Sequence, residues 1–354
     1  MLYDEQTTFK ILKHASQILK TTSNKIALSL LFTFCVLTLG CQTLPTTLVA
    51  KMMDNQQTQE TVAYLKQYAQ NHIQQKLKVE ENLAYGSTSR QHLDIIYPEK
   101  LSTSKLPVVF IVHGGAWVAG NKEGTLPYAK LIADHGFMVV NIEYTLVPQA
   151  AFPQQILELN QAVQFVLQQQ KQYPIDPDKI FFSGDSAGAN IVSSYVAALN
   201  SEPLRQKIRF NPALQAKQVR GLILHSGVYD IKTLYHRSTK AGKIVGWGAQ
   251  SVLAQYSGEK RPSDARLDEM SAYPWLNQNY PPVYLSATEV DLLTTSQSLP
   301  FIAKLKALHV PVVSQIYEKN YSEQINHDFN FDMRFNASKT VLDQSIAFLK
   351  TYSK

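Results

Sequence analysis

The chain has 354 residues, 45% of them hydrophobic and 18% charged, with 15 Gly, 16 Pro and 2 Cys. That composition supports a sizeable buried core and excludes a disordered chain, a collagen-like fibre and a disulfide scaffold. The formal charge of +6 is scattered along the chain and forms no basic stripe, which argues against nucleic-acid binding.

Residues 1–25 carry Lys10, Lys13, Lys20 and Lys25; a mostly apolar, uncharged run from Ile26 to Gly40 follows, and then Cys41. A basic segment, a short apolar core and a small residue at a cleavage point make 1–40 an export signal. The run falls short of the roughly 20 residues of a membrane span. Leu37-Thr38-Leu39-Gly40-Cys41 resembles the lipobox of bacterial lipoproteins. The resemblance implies lipidation of Cys41, a lipid anchor in the membrane and a place in the bacterial cell envelope; an uncleaved anchor, plain secretion and a hydrophobic N-terminal helix of a soluble protein are the alternatives. Cys35 lies inside the apolar run, so the processed chain would keep one thiol and form no internal disulfide.

Residues 41–84 read as a tether followed by an amphipathic helix. The stretch 42–60 is Gln/Thr-rich and aperiodic, whereas Val62, Leu65, Ala69, Ile73 and Leu77 recur at helical spacing and predict a helix over 58–80. A single folded domain is expected over 85–354. His92–Tyr97 alternates as an edge strand does, and Pro107–Val112 and Phe137–Ile142 are continuous apolar runs of the kind buried on both faces of a sheet. Helices are predicted at Thr125–His135 and Phe152–Gln170, then a strand at Lys179–Ser183 and a helix at Ala187–Leu199. Further strands fall at Gly221–His225, Pro282–Ala287 and Val312–Tyr317, with helices at Thr294–Leu308 and Lys339–Lys350. This alternation predicts an α/β protein with a mostly parallel central sheet and helices on both faces. Right-handed crossovers then collect the functional loops outside the carboxyl ends of the strands. Residues 230–280 contain no strand signal and read as an insertion, either a helical cap or a surface excursion.

Gly184-Asp185-Ser186-Ala187-Gly188 is a G-x-S-x-G sequence at a predicted strand-to-helix junction. A serine on so tight a turn projects its hydroxyl toward a base, and the next backbone N–H points at the same spot. Ser186 is therefore the candidate nucleophile. His113-Gly114-Gly115-Ala116-Trp117 follows the strand Pro107–Val112. Glycine-rich backbone at a strand end can aim amides at a developing oxyanion, so Gly114, Gly115 and Ala116, with Ala187, are the candidate donors. His113 precedes Ser186 in the chain and reads as a loop brace.

These two motifs, with Glu143–Pro148, Phe152-Pro153 and Tyr280–Tyr284, resemble the bacterial carboxylesterase and hormone-sensitive-lipase-like branch of the α/β-hydrolase fold over residues 85–352. The resemblance implies the α/β-hydrolase fold and the chain order nucleophile, acid, histidine. Of the two late histidines, His309 sits between a helix end and a strand start, at the wrong sheet edge. His327 follows the last strand at the carboxyl edge. His327-Asp328-Phe329 is similar to the family's His-Gly-Phe, with Asp in place of Gly. The loop after Pro282–Ala287 offers Glu289 and Asp291; similarity to the family's Asp-Pro-Leu favours Asp291. Thr145 and Gln149 stand where the family carries a charged pair. Asp185 and Asp328 read as local hydrogen-bonding residues.

No HExxH, CxxC pair, Walker-type GxxxxGK or Rossmann glycine triplet is present, so no metal or other cofactor is expected. The expected activity is a serine hydrolase acting on small-molecule carboxylic esters, with short acyl chains implied by the resemblance. Amide or peptide hydrolysis, and a non-catalytic lipid-anchored binding protein on the same scaffold, are the alternatives.

Overall fold

Runs of Val, Ile, Leu and Phe form the centre of the fold in the computed structural model, which describes residues 44–101, 105–238 and 243–354. The expected export signal and Cys41 lie outside the described residues. Two helices, α1 (Leu44–Met53) and α2 (Gln56–His72), precede an antiparallel pair, β1 (Leu77–Ala84) and β2 (His92–Pro98). Alternation follows: β3 (Leu106–Val112), α3 (Lys122–Ala133), β4 (Met138–Ile142), α4 (Gln154–Gln168), β5 (Ile175–Asp185), α5 (Ser186–Leu199), α6 (Glu202–Ile208) and β6 (Val219–His225). Three helices without a strand, α7 (Ile231–Ser238), α8 (Lys243–Ser257) and α9 (Asp264–Glu269), occupy the expected insertion. The chain continues through β7 (Val283–Thr288), α10 (Leu299–Ala307), β8 (Val312–Tyr317) and α11 (Asn336–Tyr352).

The eight strands lie in the order β1-β2-β4-β3-β5-β6-β7-β8. The pairs β1/β2 and β2/β4 are antiparallel and all later pairs are parallel, so this is the α/β-hydrolase fold. Side chains of β3 divide between the faces at the period of a strand. Val108, Phe110 and Val112 join a cluster with Val163 of α4 and Tyr195 of α5, while Val109 and Ile111 face Leu65 of α2, Ile132 of α3 and Val341 of α11. Burial on both faces explains why β3 and β4 are unbroken apolar runs. At the far edge β8 is less covered, with Val313 and Ser314 exposed.

The N-terminal region departs from expectation. The stretch expected to be a tether forms α1 and the start of α2, and Val49, Ala50 and Met53 pack partly buried against the core. Residues with little helical patterning are ordered there by packing, which overrides local propensity. The helix expected over 58–80 stops at His72, and Leu77 opens β1 instead. Asp134 accepts the backbone N–H groups of Gln74 and Gln75 and fixes the chain as it leaves the helix. The helix expected from Thr125 begins earlier, at Lys122, because the Asn121 side chain accepts the Gly124 N–H at 3.0 Å as an N-cap. Lys122 is itself buried, its Nζ 2.8 Å from Oδ1 of the fully buried Asp94. Among the described residues no helix is long and apolar enough to cross a membrane.

Candidate active site

Four parallel strands deliver the site residues from their carboxyl ends: β5 runs into Ser186, β3 into the loop from His113, β7 toward Asp291 and β8 toward His327. Ser186 begins α5 directly after the last strand residue, with φ +48°, a left-handed conformation that a non-glycine residue adopts only under tight local constraint. The flanking glycines are required by close approach. A Cβ on Gly184 would stand 2.5 Å from the Gly188 carbonyl carbon, and one on Gly188 would stand 2.0 Å from the Val112 oxygen. The nucleophile turn is thus pressed against the end of β3.

Oγ of Ser186 lies 3.0 Å from Nε2 of His327, and Nδ1 of that ring donates to Oδ2 of Asp291 at 2.7 Å. The other oxygen of Asp291 accepts the Leu293 N–H at 2.9 Å, which fixes the carboxylate. Ser186 and Asp291 are buried, whereas the His327 side chain is 33% exposed and borders solvent. Burial disfavours charge on the ring, but the Asp328 carboxylate and the hydrogen bond that the ring donates to Asp291 outweigh it and hold the imidazole well above its ordinary pKa. His309 lies at the α10–β8 turn, on the opposite edge from Ser186, as expected. Glu289 spends its N–H on the Tyr317 carbonyl of β8, and the carboxylate that reaches the ring is that of Asp291.

The glycine-rich loop is braced from several sides. Tyr144 donates through its hydroxyl to the His113 carbonyl at 3.1 Å and stacks on the His113 ring. Burial drives the His113 imidazole down to about 3, so it is neutral. Val147 donates to the Trp117 carbonyl, and Arg90 donates to the carbonyls of Gly120 and Tyr144 while pairing with Glu143. Burial, opposed by Arg90, pushes the Glu143 carboxyl up to about 7. Of the four candidate oxyanion donors, the Gly114 N–H is engaged by Asp185 Oδ1 at 3.0 Å. Gly115 (φ +109°) and Ala116 (φ +49°) follow in left-handed backbone, and Ala187 is the second residue of α5, directly after the serine. Trp117 stacks on Tyr256 of α8 with ring centroids 4.5 Å apart, which seats the insertion beside this loop.

Asp185 is a hydrogen-bonding residue, as expected, but its partner is the N–H of Gly114, far along the chain. Asp328 does more than bond locally through its backbone: its Oδ2 faces Nε2 of the neighbouring His327 at 3.2 Å. Arg90 was not anticipated from the sequence, although a buried acid such as Glu143 calls for a cationic partner. Thr145 replaces one member of the family's charged pair, and its N–H donates to the buried Glu158 at 2.7 Å. Among the described residues no group of three His, Cys, Asp or Glu side chains is arranged to hold a metal ion.

Comparison with known proteins agrees with this architecture. A probable carboxylic ester hydrolase, LipM, from Mycobacterium tuberculosis is 34% identical over 158 residues, 43% of this chain and 35% of LipM; the match therefore spans about a third of that relative's length. The structure of esterase B from Lactobacillus rhamnosis superposes with a TM-score of 0.68 at 19% identity, covering 84% of this chain and 96% of that one. An esterase from Pyrobaculum calidifontis superposes with a TM-score of 0.63 at 18% identity, covering 88% and 94%. At those identities the structures show a shared fold. The family model described as BD-FAE matches residues 93–305, more than half of the sequence, and the chain accordingly belongs to the BD-FAE family of α/β-hydrolase-fold esterases.

Proposed function

We propose that this protein is a carboxylic ester hydrolase that works through a covalent acyl-serine, with Ser186 as nucleophile, His327 as base and then acid, and Asp291 as the carboxylate that orients the ring. The observation that carries the reading is the continuous relay from Ser186 Oγ through His327 to Asp291, spanning 3.0 and 2.7 Å at the carboxyl edge of the sheet. With its proton on Nδ1, the neutral ring offers the Nε2 lone pair to the serine hydroxyl. Oγ attacks the ester carbonyl carbon as Nε2 takes the hydroxyl proton, and the carbonyl oxygen becomes an oxyanion. Backbone N–H groups of Gly115, Ala116 and Ala187 are the donors assigned to it, because the Gly114 amide is engaged by Asp185. Collapse breaks the bond to the alcohol, which leaves with the proton from Nε2. Water, deprotonated by the same nitrogen, then attacks the acyl-serine and releases the acid.

The substrates are carboxylic esters, a class supported by the esterase names of the relatives, with short acyl chains on the motif resemblance alone. The test is hydrolysis of p-nitrophenyl acetate, hexanoate and decanoate by the wild-type protein and Ser186→Ala, together with labelling by a fluorophosphonate. Turnover falling from acetate to decanoate, lost with the labelling in Ser186→Ala, is the expected result. An inactive, unlabelled but folded wild-type protein would reject it. The lipobox-like Leu37–Cys41 segment supports attachment to a membrane of the cell envelope through lipidated Cys41. Cys41→Ser should then leave the membrane fraction; unchanged fractionation, with no lipid mass on the N-terminal peptide, would reject the anchor.

A further inference from the structure

We propose that Asp328 is a second carboxylate partner of His327, sharing the imidazolium with Asp291 from across the ring and competing with Ser186 for Nε2. The proposal rests on the serine–histidine reading above. Nε2 has two neighbours at nearly equal range, Ser186 Oγ at 3.0 Å and Asp328 Oδ2 at 3.2 Å. A neutral ring with its proton on Nδ1 would turn the Nε2 lone pair toward a carboxylate oxygen, and both groups would be acceptors. A proton on Nε2 turns this repulsion into an ion-pair attraction across 3.2 Å.

The position of Asp328 is set by its backbone. Its N–H donates to the Ser226 hydroxyl at 3.3 Å, and its backbone is left-handed, with φ +54°. The second oxygen, Oδ1, is buried and has no hydrogen-bond partner among the described residues, so Nε2 is the donor that this carboxylate faces. The charged and titratable groups around the pair come from every neighbouring loop: Asp291 after β7, Asp185 at the end of β5 and Tyr229 after β6. Two carboxylates, Asp291 and Asp328, thus face the two nitrogens of one imidazole.

The consequence is a resting enzyme that keeps its base protonated. To turn over, the ring first releases the Nε2 proton to solvent, and Ser186 then passes its own proton to the vacated nitrogen. Activity should accordingly rise late on the alkaline side. Once the imidazolium forms again in the transition state, Asp328 stabilises it.

The test uses Asp328→Asn and Asp328→Gly, since both residues tolerate the left-handed backbone of this position. In kcat/KM profiles for p-nitrophenyl acetate, the acidic limb should move about one pH unit or more downward in both variants, the scale set by one opposite charge at this range. The alkaline plateau should fall. An acidic limb that stays in place in active variants overturns the proposal while leaving the triad standing. If the variants lose activity at every pH, NMR titration of the His327 ring in Ser186→Ala, with and without Asp328→Asn, decides instead. A lowered ring titration supports the proposal and an unchanged one overturns it. Failure of the triad reading itself would show separately, as full activity in Ser186→Ala.

Discussion

Oδ1 of Asp185 accepts the Gly114 N–H across 3.0 Å and so ties the nucleophile turn to the glycine-rich loop. The two residues are neighbours because β3 and β5 pair in parallel, with Val112 opposite Gly184. Burial and the Asp328 charge raise the Asp185 carboxyl well above the usual range, against the pull of the Gly114 amide. Asp185→Ala should cost about 1–3 kcal/mol by leaving that buried amide unpaired. It should also lower kcat about tenfold with little change in KM, whereas Asp185→Asn, which keeps an acceptor, should restore most of kcat. Denaturant melts and steady-state kinetics check both. Equal kcat in all three proteins would remove the tie from the catalytic account.

Asp291 fixes the ring at 2.7 Å and is itself held by the Leu293 N–H. Asp291→Asn should lower kcat by roughly 10³–10⁴-fold, because the amide favours the wrong imidazole tautomer. Glu289→Gln should stay within about threefold of wild type. The opposite ranking in a side-by-side assay would move the acid role to Glu289.

At the turn, Gly188→Ala places a methyl 2.0 Å from the Val112 oxygen. The sheet and α5 must then separate locally, for a loss of about 2–4 kcal/mol. Thermal unfolding reads the loss directly; a melt within one degree of wild type would contradict the contact.

Beneath the glycine-rich loop, Asp94→Ala should be more damaging than any exposed charge deletion. It would leave the buried Lys122 with only the exposed carboxylate of Glu123, 3.0 Å away, for a loss of about 3 kcal/mol, the low end for a broken buried pair. The surface pair of Lys76 with Glu99 offers the control, since Glu99→Ala should change stability by less than about 1 kcal/mol. Similar losses for the two variants in urea titrations would argue against the buried pair.

The sequence exposes the central strands and the nucleophile turn because each leaves a local signature. β3 and β4 are continuous apolar runs, and Gly184–Gly188 satisfies a steric demand within five residues. β1 leaves no such trace. It is an edge strand with Glu80 and Glu81 in its middle, and Leu77 happens to extend the helical spacing of α2. α1 is equally hidden, since its order comes from packing of Val49, Ala50 and Met53 on distant parts of the fold. The brace by Arg90 and the Asp94–Lys122 pair join residues far apart in the chain, and no short window reports them. The identity of Asp328 is visible in the sequence, but its aim at Nε2 depends on a backbone torsion.

The strand that leads to His327 is also an edge strand and thinly clothed, with Val313 and Ser314 facing water. Fraying at that margin would carry off the proton acceptor while the serine turn, deep between β3 and β5, stayed folded. Heat or urea should therefore silence the enzyme before its circular dichroism changes; coincident loss of both signals would mean that the border holds as firmly as the middle.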